Sequence, residues 1–269
     1  MADSDRSRLL LELEDPFTRF QRLMSQRVEH VLLVSSLYDS FILAQDAQLS
    51  ELFLNEFLEL NLRHTPGLTS VTSGAQALQH MREDERYSLV VTSPHVGDMD
   101  ALELARRIQA DGHDVPVVLL GYDHRELKDF VGRHDTSAID RVFLWRGDVR
   151  IFLAITKYIE DKLNVASDTS EAGVQVIILI EDSIRYYSSF LPIIYTELFR
   201  HSERVIPEGV NVTHKIMRMR ARPKILLTDN FEEAWQYFDT YKDNVLGVIS
   251  DIAFPRDGVV APQAGLQFA

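Results

Sequence analysis

From residue 30 onward the chain sets short apolar runs between amphipathic stretches. Val31–Val34 has no polar interruption, the pattern of a strand buried on both faces. Asp39–Leu62 reads as a long amphipathic helix, which Pro66-Gly67 breaks. Strands then fall at Leu68–Thr72, Leu89–Thr92, Val115–Leu120 and Val142–Trp145, and helices at Gly74–Glu85, Asp98–Ala110, His124–His134 and Asp148–Leu163. Ahead of them, Leu9, Leu10, Leu13, Phe17, Phe20 and Leu23 keep mostly helical spacing, with a helix start near Asp15 because Pro16 interrupts the run. That defines an N-terminal helical extension, 1–29.

Val165–Gly173 is small and polar and reads as a linker, placed at 166–173. After it the pattern restarts. Strands are expected at Val174–Ile180, Lys224–Thr228 and Val245–Ser250, and helices at Ser183–Arg200 and Phe231–Tyr241. Pro192 should kink the first of these helices. Between the first helix and the second strand lies an insertion, His201–Arg222, with a further helix carrying Lys215, Arg218, Arg220 and Arg222. That basic run fits a solvated helix face better than a phosphate site. Alternating strands and helices call for a parallel sheet with helices on both faces, so the expected fold is α/β, flavodoxin-like and doubly wound. The organisation is two tandem units, 30–165 and 174–269, the second incomplete.

Composition narrows the chemistry. The absence of cysteine removes disulfides, thiolate metal sites and cysteine nucleophiles. A formal charge of −13 argues against nucleic acid as a partner. No apolar run approaches the ~20 residues of a membrane span, and the N-terminus lacks a secretory pattern, which makes the cytoplasm the expected location. No HExxH, Walker or GxGxxG pattern occurs, and Ser93-Pro94-His95 lacks a nucleophile elbow. The aromatic group Tyr186, Tyr187 and Phe190 fits a packed helix face better than a ligand site.

Acidic residues follow two of the apolar runs. Ile178-Leu179-Ile180-Glu181-Asp182-Ser183 resembles the first strand of response-regulator receiver domains, and Gly247-Val248-Ile249-Ser250-Asp251-Ile252-Ala253-Phe254-Pro255 resembles their third strand and loop. The resemblance implies that Asp251 is the phosphoacceptor. It also implies that Glu181, Asp182, Asp251 and the backbone carbonyl of Ala253 hold Mg²⁺, with phosphate arriving from a histidine kinase or phosphotransfer protein. The chemistry is consistent, because a carboxylate attacking a phosphoryl group needs its charge offset by a cation on hard oxygen ligands. A bland alternative stays open: Asp182 or Ser183 as a helix N-cap and Asp251 as a loop acceptor. The Ser/Thr and Lys that receivers place after their fourth and fifth strands have no counterpart in 174–269.

In the first unit the same alignment puts Ser35 and Ser36 at the acidic pair, Ser93 at the phosphoacceptor, Gly121 at the Ser/Thr, and Arg146-Gly147 at the Lys-Pro pair. This unit therefore reads as a degenerate pseudo-receiver. Glu181–Pro192, Met217–Lys224 and Gly258–Gln267 also look like a receiver variant found in large phosphoenolpyruvate/pyruvate-binding, dikinase-like proteins. That likeness implies a possible downstream catalytic domain. The leading expectation is a phosphorelay module rather than an enzyme. The alternatives are a non-phosphorylated interaction scaffold and the regulatory N-terminal part of a larger phosphotransferase.

Overall fold

The computed structural model describes residues 22–39, 49–62, 64–204 and 221–269. The expectations for 1–21, for the start of the Asp39–Leu62 helix and for Lys215, Arg218 and Arg220 lie outside the described residues. The chain divides into two compact units. Of the described residues, the first comprises those within 27–159 and 183–194, and the second comprises 22–26, 160–182, 195–204 and 221–269.

The first unit is built on one parallel sheet of β1 (His30–Val34), β2 (Gly67–Val71), β3 (Leu89–Thr92), β6 (Val117–Gly121) and β7 (Arg141–Leu144), in the order β2-β1-β3-β6-β7. A hairpin, β4 (His95–Val96) with β5 (Met99–Asp100), follows β3. With the hairpin set aside this is the 2-1-3-4-5 order of the flavodoxin-like fold. The helices are α1 (Leu49–Glu59), α2 (Gly74–Glu83), α3 (Ala101–Ala110) and α4 (His124–Arg133), followed by α5 (Arg150–Ala172), whose first ten residues belong here. Their starts are set by side chains that satisfy free amides: Ser73 caps α2, Asp100 caps α3 and Asp123 caps α4. Asp98, expected to open α3, instead accepts from the amides of Gly74 and Ala75 at the start of α2 (2.7 and 3.0 Å). Leu32, Val34, Val90, Leu104, Ile108 and Leu119 sit in an apolar core.

The outer edge of β7 is closed by side chains of α6 (Ile184–Arg204), whose residues 184–194 belong to this unit. The Ser188 hydroxyl accepts from the Leu144 amide (3.0 Å), and the Tyr187 hydroxyl donates to the Val142 carbonyl. Tyr187 is buried beside Phe143, whereas Tyr186 and Phe190 stack on each other in solvent. Part of the expected aromatic face is thus packed and part is not.

The second unit holds a three-stranded parallel sheet, β8 (Val176–Ile180), β9 (Lys224–Thr228) and β10 (Val245–Ser250), in the order β10-β8-β9. Read from β9 it repeats the β2-β1-β3 order. A hairpin again follows the third strand, β11 (Phe254–Arg256) with β12 (Val259–Ala261). The helices α7 (Phe231–Tyr241) and α8 (Ala264–Phe268) complete it.

Two expectations need correction. The linker at 166–173 is helix as far as Ala172, where α5 ends: Asp168 is buried against Lys224 (2.6 Å), and the hydroxyls of Thr169 and Ser170 bond back to the carbonyls of Val165 and Ala166 (2.7 and 2.8 Å). Arg222, expected on a solvated basic face, is buried. Its guanidinium makes a two-pronged pair with Asp161 (2.9 and 2.8 Å), which also accepts from the Tyr195 hydroxyl and the Ile225 amide. The unit boundaries differ from those read in the sequence for the same reason: the second half of α5 carries the partners of Arg222 and Lys224.

Candidate functional site

The candidate site is at the C-terminal ends of the second unit's strands, where open α/β sheets place their ligands. Glu181 and Asp182 follow β8, and Asp251 follows β10. The backbone fixes them. The Glu181 amide donates to Thr228 O on β9, and the Asp251 amide donates to Ile180 O on β8, both at 3.0 Å. One carboxylate oxygen from each of Glu181, Asp182 and Asp251 lies within 4.8 Å of the others, the one such cluster of potential metal ligands among the described residues. Glu181 is buried, Asp182 half-buried and Asp251 exposed. The Ile252 amide donates to Asp251 Oδ1 (2.6 Å), leaving the second carboxylate oxygen clear of that contact. Ala253 stands two residues further along the same loop and is half-buried.

Burial pushes the Asp182 carboxyl above its ordinary range, with further upward pressure from the charges of Asp251 and Asp229. Crowded carboxylates of this kind are what a hard divalent cation relieves. Three carboxylates, one of them exposed, offer the hard oxygen donors that suit Mg²⁺, which binds through few protein oxygens. Asp229, which follows β9 as Glu181 follows β8, was missed in the sequence. Its only signal was its place two positions after the apolar run Ile225–Leu227, directly behind Thr228.

The first unit reproduces this backbone with other side chains. The Ser35 amide donates to Val71 O (3.1 Å) and the Ser93 amide to Val34 O (2.9 Å). These bonds match those of Glu181 and Asp251 one for one, so Ser35 stands for Glu181, Ser36 for Asp182 and Ser93 for Asp251. Ser35 and Ser93 are both buried. The Ser36 hydroxyl donates to Asp39 (2.8 Å), which turns that side chain to local helix capping. At Gly121 a Cβ would meet the Leu127 side chain at 2.7 Å, so Leu127 occupies the space a Ser or Thr would need. Arg146 donates to Ser189 Oγ (2.9 Å).

No protein-family model matches this sequence, and no curated protein matches it. Among solved structures, the signal receiver domain of an HD domain-containing protein from Pseudomonas fluorescens Pf-5 is similar, with 23% identity and a TM-score of 0.34. The match covers 54% of this chain and all of that one. No helix among the described residues is long and apolar enough to cross a membrane.

Proposed function

We propose that the chain is a signal-transduction module of receiver type, in which the second unit accepts a phosphoryl group on Asp251 and the first serves as a non-phosphorylated docking platform. The observation that supports this most directly is the cluster of Glu181, Asp182 and Asp251 at the strand ends, set on the same backbone bonds that carry Ser35, Ser36 and Ser93 in the first unit. Glu181, Asp182, Asp251 and the Ala253 carbonyl would hold Mg²⁺. When bound, the cation would offset the phosphoryl charge. A carboxylate oxygen of Asp251 forms a bond to phosphorus, the phosphorus–nitrogen bond of a phosphohistidine breaks, and the departing imidazole keeps the electron pair and takes up a proton. The donor would be a histidine kinase or a phosphotransfer protein. The module has no other catalytic activity in this reading.

A second reading, an interaction scaffold, is favoured by one observation. Val248 and Ile249 on β10 are 38% and 47% exposed, although the equivalent strand β3 is fully buried.

Intact mass after incubation with acetyl phosphate and Mg²⁺ separates the two. One added phosphoryl group, lost in Asp251→Asn and without Mg²⁺, is the expected result. No addition to the native chain overturns the phosphoacceptor reading and leaves the scaffold.

A further inference from the structure

We propose that Gly265 is a positioning residue for Asp251, acting through the backbone that carries it; this rests on the phosphoacceptor reading. Gly265 is in the first turn of α8, and its amide donates to the Ile252 carbonyl (3.0 Å). A Cβ built on Gly265 would fall 2.2 Å from the Asp251 carbonyl oxygen and 3.1 Å from Ser250 Oγ. The hydroxyl of Ser250 already donates to that same carbonyl oxygen at 2.6 Å. The helix thus rests directly on the peptide that follows Asp251, at a distance only glycine permits.

The close neighbours of Gly67, Gly74 and Gly121 are side-chain atoms of His30, Met99 and Leu127 and not backbone. At Gly265 the nearest neighbour is backbone, and its φ is not in the left-handed region, so the requirement is for space. The Asp251 amide is held by Ile180 O and its carboxylate by the Ile252 amide. A side chain at 265 must therefore lift α8 or turn the Asp251–Ile252 peptide, and turning it swings the carboxylate away from Glu181 and Asp182. The helix is anchored from its other end by Phe268, whose ring contacts Phe231, Trp235 and Phe238 at centroid distances of 5.6, 5.7 and 6.1 Å.

The test compares the native chain with Gly265→Ala, Phe268→Ala and Gly258→Ala, reading Mn²⁺ affinity by electron paramagnetic resonance and the initial rate of phosphorylation by acetyl phosphate. Gly265→Ala should slow phosphorylation by about tenfold or more and weaken Mn²⁺ binding to a similar degree, since small misplacements of a reacting group carry large rate costs. Phe268→Ala, which loosens α8 without a collision, should act in the same direction by roughly two- to fivefold. Gly258, at φ +75° with open space around it, should lose stability on change to alanine yet keep both readouts within about twofold. Should Gly265→Ala fail to fold, Phe268→Ala decides. Native affinity and rate in both Gly265→Ala and Phe268→Ala, or in Phe268→Ala alone where Gly265→Ala does not fold, overturn the positioning role. A native chain that binds Mn²⁺ but takes no phosphate sinks the phosphoacceptor reading alone, and Mn²⁺ affinity still decides the role of Gly265. One that does neither sinks both.

Discussion

The two units set the same three-strand order, β2-β1-β3 and β9-β8-β10, on two different interiors. In the first, the sheet lies in an apolar core, and its edge strand β7 has backbone groups satisfied by Tyr187 and Ser188. In the second, the apolar cluster around Val176, Ile178, Leu226 and Phe254 is smaller, and the chain adds a buried ionic layer of Asp161, Arg222, Asp168 and Lys224. The strand ends differ in the reverse sense: hydroxyls in the well-packed unit, carboxylates in the ionic one. One backbone design can therefore be tuned toward packing or toward charge, and the side chains after the strands decide which chemistry is open to it.

The contrast of interiors can be broken most severely at Asp161. Removing it leaves the Arg222 guanidinium, 2% exposed, without its directly bonded carboxylate and frees the Ile225 amide. Asp161→Ala should cost about 3–5 kcal/mol in denaturant unfolding, the usual penalty for orphaning one partner of a buried pair. Replacing Asp161 and Arg222 together with apolar residues of similar volume should recover most of that loss. The contrast of strand ends is tested at Ser93. Ser93→Asp should cost about 1–3 kcal/mol, because the new carboxylate is buried beside Ser35 and Ser36 and gains no charged partner from them. In an Asp251→Asn background it should take up no phosphoryl group from acetyl phosphate. Uptake there would mean that the backbone alone suffices.

Much of the strand framework was legible because a buried parallel strand must be apolar throughout, as in Val31–Val34 and Ile177–Ile180. Glu181 was legible because it directly follows such a run, Asp251 because it stands two positions after Val248-Ile249, and the substitutions at Ser35, Ser36 and Ser93 followed by alignment. The features that escaped depend on partners distant in the chain or on space. Arg222 reads as one more surface cation until Asp161, 61 residues away, is brought to it. Val165–Gly173 has the composition of a linker, yet it is helical to Ala172, with Asp168 meeting Lys224 and the hydroxyls of Thr169 and Ser170 satisfied on the preceding turn. Gly265 carries no sequence signal at all, since what singles it out is a backbone oxygen 14 positions earlier.

The smallest expected effect sharpens the comparison at one pair of equivalent positions, Asp182 and Ser36. Asp182 is an acid whose folded-state pKa is raised by burial and by its acidic neighbours. Such a group holds its proton more tightly folded than unfolded. Metal-free stability should therefore fall as pH rises from the unfolded carboxyl value, about 3.9, through the raised folded value, and stay lower above it. Asp182→Asn removes that cost, so without divalent cations the variant should melt slightly higher than the native chain at pH 7. Since Asp182 is partly solvated, the gain should stay below about 1 kcal/mol, and it should vanish below the unfolded carboxyl value. Mg²⁺ should reverse the order, stabilising the native chain by mass action and leaving the variant little changed. Ser36→Ala should show neither the pH dependence nor the Mg²⁺ dependence, because no titrating group is lost. A variant pair that responded alike to Mg²⁺ would place the cation outside the second unit's strand ends, and the distinction between the two units would then lie in packing alone.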